Sequence, residues 1–201
     1  MKFILHRRNK IREIKSSPSK YGLEIDIRSY GKNLVLNHDP FKKGELLKDW
    51  IKHYHHGTLI LNVKEEGLEE EIKLILDDSK IIDYFFLDQS FPFLIKWAKR
   101  GENNCAVRFS EFESLETVIS LSGKISWVWV DCFSKYIITK EIADKLKNND
   151  FNICLVSPEL QGRDGYSEIP LVAKNIKDAD IHIDAVCTKM PETWEQSLAN
   201  D

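Results

Sequence analysis

The sequence lacks any apolar stretch long enough to span a bilayer as a helix, which takes about 20 consecutive apolar residues. It opens Met1-Lys-Phe-Ile-Leu-His6 and then turns charged, so its start reads neither as a secretion signal nor as an anchor, and a cytoplasmic protein is expected. A dominant charge is missing too: Lys+Arg 29 against Asp+Glu 32 gives a net charge of -3. That balance exerts no global pull on nucleic acid or anionic lipid, so any phosphate binding must be local. Cysteine is sparse. Cys105, Cys132, Cys154 and Cys187 stand far apart inside apolar runs, the pattern of buried reduced thiols, which argues against a disulfide framework or a zinc knuckle. Internal repeats, low-complexity tracts, heptads and linkers are absent as well. With 201 residues and 42% hydrophobic content, one well-buried core and a single domain over 1-201 are expected.

What the chain does have is alternation. Short β-branched apolar runs exchange with longer charged segments of helical period from one end to the other, the signature of βα units. Strands are expected at Lys2–His6, Leu23–Arg28 with a return through Leu34–Asn37, Thr58–Val63, Tyr84–Asp88, Ala106–Ser110, Ser126–Asp131, Ile153–Ser157 and His182–Thr188. Helices are expected at Glu45–Tyr54, Leu68–Leu76, Phe93–Lys99, Glu113–Leu121, Lys140–Asn148 and Pro170–Lys177. About eight strands at a repeat of roughly 25 residues fit a compact (β/α)8 TIM barrel, shorter than the usual length of about 250 residues. An open doubly wound sheet is disfavoured because His6-Arg7-Arg8 follows the first strand where a Gly-rich phosphate loop would stand.

The stretch Gly22-Leu-Glu24-Ile-Asp26-Ile-Arg28 carries the most chemistry. Side chains alternate along a strand, so Glu24, Asp26 and Arg28 share one face and Leu23, Ile25 and Ile27 the other. Buried unpaired charge is expensive, and a hard divalent cation such as Mg2+ or Ca2+ is a simple remedy. A structural ion pair with Arg28, Lys64 or Arg108 is the bland alternative. Polar residues also collect where the other strands end: His6, Asn62 and Lys64, Asp88, Arg108 and Ser110, Asp131, Ser157 and Glu159, Thr188 and Lys189. Reacting groups of such barrels sit at those ends, so a polar pocket is expected there, with Asp88, Arg108, Asp131 and Glu159 as additional lining.

The order His6-Arg7, Glu24-Ile-Asp26, His38-Asp39-Pro40 and Asn62-Val-Lys64, with Ser157-Pro-Glu159 and Asp184-Ala-Val-Cys-Thr188-Lys-Met-Pro191 downstream, resembles the glycerophosphodiester phosphodiesterase family. That family lies within the phosphatidylinositol-phospholipase-C-like barrels. The resemblance covers nearly the whole chain. It implies metal-dependent attack on a small-molecule phosphodiester, with His6 and His38 as general base and acid. It also implies Glu24, Asp26 and Asn62 around a divalent cation, and Arg7 and Lys64 on the phosphate. Elementary chemistry asks for the same set: a proton acceptor, a proton donor and positive charge for developing oxyanions.

Three departures from the family pattern shape the expectation. Arg8 stands where glycine usually follows His-Arg, Asn62 replaces a carboxylate with a neutral amide, and only a short helix follows His38 where an inserted subdomain is usual. A weaker cation site follows, completed by Glu65, Asp88 or Glu159. The compact arrangement resembles sphingomyelinase-D-like and bacterial phospholipase-C-like members, in which an internal hydroxyl attacks to give a cyclic phosphate. Two rival readings remain: a non-catalytic relative that binds a phosphorylated ligand, and a phosphosugar enzyme using Lys64 as base or Schiff-base amine. His53-Tyr-His-His56 reads as a helix end, Trp127 and Trp129 as packing, and His182 as a residue at the stability end.

Overall fold

The computed structural model describes residues 1–199, which form a mixed α/β fold in two compact units. The N-terminal unit runs from Ile4 to Cys105, and the C-terminal unit joins Met1–Phe3 to the chain from Ala106 onward. Strand β1 (Lys2–Leu5) is shared between them. Among the described residues no helix is long and apolar enough to cross a membrane.

In the N-terminal unit, β2 (Gly22–Tyr30) is the organising strand. One edge pairs in parallel with β1 through Ile4↔Gly22 and Leu5↔Leu23, then antiparallel with β3 (Asn33–Leu36) from Ile27 onward. The other edge pairs in parallel with β5 (Leu59–Val63), which pairs with β6 (Tyr84–Leu87). Gly22 is needed where β2 enters this arrangement, because a Cβ there would lie 2.4 Å from the Thr58 carbonyl oxygen. Leu23, Ile25 and Ile27 are fully buried on one face of β2, and Glu24 and Asp26 are equally buried on the other, so the strand has no solvent side.

The expected return strand is present as β3, but the helix expected over Glu45–Tyr54 is broken into smaller pieces. Glu45–Leu46 is a short strand, β4, paired with Leu36 and Val35, and only Leu47–Trp50 is helical, as α2, before a 3₁₀ turn at Ile51–His53. Pairing with β3 keeps Leu46 extended and delays the helix. Helix α1 (Ile11–Ser16), too short to show a period, was not expected. Helices α3 (Glu69–Asp78) and α4 (Phe91–Lys99) follow β5 and β6, with Pro92 in the first turn of α4 where its missing N–H costs nothing.

The C-terminal unit places β7 (Ala106–Phe109), β8 (Trp127–Val130), β9 (Asn152–Val156) and β10 (Ala185–Thr188) side by side in parallel, with the start of β1 beyond β10. Ser114, Thr139 and Asp164 cap α5 (Leu115–Ile119), α6 (Lys140–Lys147) and α7 (Gly165–Asp178) through hydrogen bonds from Thr117, Ile142 and Tyr166 amides. The Asp164 cap starts α7 five residues before the expected Pro170. Pro170 leaves the carbonyl of Tyr166 without its usual intrahelical partner, which solvent can supply at that exposed residue. Helix α8 (Pro191–Ala199) was not expected either. All four cysteines are buried thiols, and Trp127 and Trp129 are buried packing residues.

Asp184 ties the start of β10 together. Its carboxylate accepts from Lys147 Nζ at 2.8 Å and the Ile153 amide at 2.8 Å and meets His182 Nε2 at 3.1 Å, while its own carbonyl takes the Lys2 amide at 2.7 Å. Burial alone would raise its pKa, but Lys147, the Ile153 N–H and His182 together hold it below the ordinary carboxylate value. A depressed folded-state pKa adds stability that is full above the unfolded value and lost as pH falls through the folded one. Asp184→Asn is therefore expected to cost more stability at pH 7 than at pH 3 in urea unfolding. An equal cost at both would contradict this account.

Candidate active site

Every part of this site belongs to the N-terminal unit. Glu24, Asp26, Asn62 and Lys64 come together because β2 and β5 run parallel in the register Asp26↔Asn62, and a period of two puts Glu24 and Lys64 on the same face. Asn62 Nδ2 donates to Glu24 Oε1 at 2.9 Å. Lys64 Nζ lies 3.4 Å from Asp26 Oδ1 and 3.0 Å from Asp88 Oδ2. Both carboxylates on β2 are buried, with exposures of 1% and 0%. Burial, then the charge of Asp26, pushes the Glu24 carboxyl up to about 7. Such a group is ready to accept compensating positive charge.

The turn after β1 covers these acids. The Arg7 amide donates to Glu24 Oε2 at 2.7 Å, Arg7 Nε sits 3.2 Å from Asp26 Oδ2, and His6 Nε2 lies 3.8 Å from Glu24 Oε2. Arg7 has φ 54 and Asp88 φ 60, left-handed conformations that are unusual for such side chains and collect at functional sites. The left-handed residue is thus Arg7. Arg8, in the place of the usual glycine, is not among the positive-φ residues and incurs no such strain. Its amide donates to the Glu24 carbonyl at 2.8 Å, and its carbonyl accepts from the buried Trp50 indole at 2.8 Å.

Asn9 is the residue that sequence reasoning missed. Its Nδ2 donates to Asp26 Oδ2 at 2.8 Å while its Oδ1 accepts from the Asp26 amide at 2.8 Å. A lone asparagine in a predicted loop carries no signal for such a clamp, beyond the general habit of Asn side chains to bond backbone groups in turns.

His38 enters by the opposite route, in the loop after β3. The Asn37 amide donates to the Asp26 carbonyl at 3.1 Å, and Arg28 Nε donates to the His38 carbonyl at 3.0 Å, so the loop is tied at the level of Asp26. His38 Nδ1 meets Asp39 Oδ1 at 3.1 Å, and this hydrogen bond holds the Asp39 carboxyl below its ordinary value. His38 lines a cavity of about 500 Å³ with Arg7, Asn9, Asn37 and Lys43. Arg28, read as a partner for the acids, instead bonds the carbonyls of His38 and Lys64.

A hard cation fits this donor set. Asp26 Oδ1 and Asn62 Oδ1 are buried and accept no hydrogen bond, and they stand beside the Glu24 carboxylate in a set of two acids and one neutral oxygen. Among the described residues there is no group of three or more His, Cys, Asp or Glu poised for a metal, and the third oxygen beside Glu24 and Asp26 is the neutral one of Asn62. Glu65 does not complete the set, since its carboxylate accepts from the Ser29 amide at 3.0 Å, and Asp88 is engaged by Lys64.

The remaining expected residues lie in the C-terminal unit with partners of their own. Asp131 accepts from Arg108 at 2.5 Å and Gln161 at 2.5 Å, and Glu159 accepts from Ser157, from Thr188 at 2.6 Å and from the Lys189 amide at 2.8 Å.

No protein-family model matches the chain, and no curated protein matches it in sequence. Solved structures do match. A glycerophosphodiester phosphodiesterase from Agrobacterium tumefaciens superposes with a TM-score of 0.71 at 12% identity, over 99% of this chain and 99% of that one. A glycerophosphoryl diester phosphodiesterase from Parabacteroides distasonis gives 0.57 at 11% identity, over 98% and 86%. The chain therefore has the fold of glycerophosphodiester phosphodiesterases. Identity this low shows the fold alone. Because the Agrobacterium protein is matched along nearly its whole length, the short segment after His38 does not set this chain apart from it.

Removing the Asn9 side chain would leave the buried Asp26 amide without its partner and Asp26 Oδ2 with Arg7 alone. Unsatisfied buried groups cost about 1–3 kcal/mol, so Asn9→Ala is expected to lower unfolding free energy by that amount in urea titrations. In an Asp26→Ala background the same change should cost less. Additive costs would contradict the clamp.

Proposed function

We propose that the protein is a metal-dependent phosphodiesterase for a small phosphodiester, on eight parallel strands closed into a (β/α)8 barrel. The fold likeness supports the general class. The observation that carries the reading is the pair of buried carboxylates, Glu24 and Asp26, ringed by His6, Arg7 and Lys64, with Asp26 Oδ1 and the neighbouring Asn62 Oδ1 accepting no hydrogen bond. Four buried thiols accord with a reducing cytoplasm.

Glu24, Asp26 and Asn62 Oδ1 would hold Mg2+ or Ca2+, which supplies Lewis-acid charge to a phosphoryl oxygen when bound. The chain's own groups do the rest. His6 takes the proton from the attacking hydroxyl as its oxygen bonds to phosphorus. His38, oriented by Asp39, returns a proton to the alkoxide as the old P–O bond breaks. Arg7 and Lys64, which face Asp26 in this structure, neutralise the phosphate oxygens.

A binder without turnover is the second reading, favoured by the Asn62 amide occupying Glu24 Oε1. The amine-nucleophile alternative is weakened because Lys64 is held between Asp26 and Asp88 as a charge partner.

Turnover of a soluble phosphodiester with millimolar divalent cation separates these readings. His6→Ala and His38→Ala are each expected to lose about 10²–10⁴-fold in rate. No wild-type turnover with any of Mg2+, Ca2+ or Mn2+ would leave the binder. Millimolar cation is also expected to raise the melting temperature of the wild type and not of Glu24→Ala or Asp26→Ala, because only a native-state ligand stabilises by mass action. Asn62→Asp should strengthen that rise.

A further inference from the structure

The exposed aromatic side chains are not scattered. Among the described residues the exposed ones are Tyr30, Phe41, Phe91, Phe112, Phe133 and Tyr166. Tyr30 ends β2, Phe41 lies in the loop between β3 and β4, Phe91 opens α4 after β6, Phe112 and Phe133 lie in the loops after β7 and β8, and Tyr166 is in the first turn of α7 after β9. Of the exposed aliphatic residues, Ile82 precedes β6, and Leu74 and Leu171 lie further along α3 and α7.

The N-terminal unit adds charge to this pattern. Tyr30 is at the tip of the β2–β3 hairpin, held by Gly31 with the positive φ of 64 that a two-residue turn asks of its first position. Phe41 follows His38 in the next loop and is 94% exposed, with φ 60. A bulky residue in that conformation strains the backbone, yet the ring buries nothing within the fold. Exposed Lys32, Lys42 and Lys43 flank the two aromatics. From Arg28 to Gly44 the sequence has four basic residues and one acid, Asp39, which His38 already engages, in a chain whose net charge is -3.

We propose that the hairpin tip and the loop after His38 form a docking surface for an anionic phospholipid bilayer. Aromatic rings favour the headgroup layer, where one end meets hydrocarbon and the other water, and lysines near the surface gain from its negative potential. Exposed Lys32, Lys42 and Lys43 complement the negative surface of an anionic membrane. Docking by this surface brings the His38 loop to the phosphodiester layer of the membrane. Vesicle binding itself does not depend on the proposed diesterase activity, so the two fail separately.

Cosedimentation of the full chain with phosphatidylcholine vesicles, with and without phosphatidylserine, tests the surface. Binding is expected with phosphatidylserine, much weaker without it, and reduced by high salt. Phe41→Gly is expected to weaken binding about tenfold, from the lost burial of one aromatic ring. Glycine suits a positive φ, so this variant keeps its fold, and its turnover of a soluble diester should match wild type. Lys32→Glu with Lys42→Glu should weaken binding by about fivefold or more per residue. Equal binding to both vesicle types, no binding to either, or unchanged binding by the variants would overturn the proposal. So would sedimentation equilibrium showing a dimer that Phe41→Gly dissolves.

Discussion

The edge of β2 that passes from β1 to β3 is the constraint on which the rest of the site depends. β1 stops pairing at Leu23 and β3 begins at Ile27, which leaves backbone groups of Glu24 and Asp26 to be satisfied in a buried place. Three different donors and acceptors fill the gap: the Arg8 amide on the Glu24 carbonyl, the Asn9 side chain on the Asp26 amide, and the Asn37 amide on the Asp26 carbonyl. Buried peptide groups are seldom left unpaired, so the turn after β1 and the start of the loop after β3 are fixed by the need to complete this edge. His6, Arg7 and His38 are carried on those two segments. The backbone accounting of one strand therefore sets the placement of the candidate acid and base.

Charge then follows geometry. Glu24 and Asp26 share a buried face because the strand alternates, and their proximity disfavours ionising both without a cation. Arg7 and Lys64 supply positive charge to Asp26, and Asn62 supplies a neutral donor to Glu24. A site that leaves Asp26 Oδ1 and Asn62 Oδ1 without hydrogen bonds is incomplete as a structural network and coherent as a cation site.

Much of this was legible in the sequence because it rests on local period. The alternation across Glu24, Ile25 and Asp26 located the acidic face, and short β-branched runs located the parallel strands. Asn62 and Lys64 could be assigned to the same site because β5 has the same period as β2 and pairs in register with it. What stayed hidden depends on contacts distant in sequence. Nothing local to Asn9 says that it completes a strand edge seventeen residues away, and nothing at Arg7 announces a left-handed backbone. The break at Glu45–Leu46 was hidden for the same reason, since pairing with β3 overrides a sequence of helical period. Arg108, Asp131 and Glu159 were read correctly as strand-end polar residues, yet their partners in the C-terminal unit are specified only by the fold.

The central claim is that Glu24, Asp26 and Asn62 form a cation site. Crystals grown with Mn2+ and read by anomalous scattering test it directly. The account predicts one strong peak within about 2.0–2.6 Å of oxygens from all three residues, the range for hard divalent cations, with the Asn62 amide turned so that its oxygen faces the ion. Diffraction from fully Mn2+-soaked crystals with no peak there, and with Asn62 Nδ2 still donating to Glu24, would contradict it.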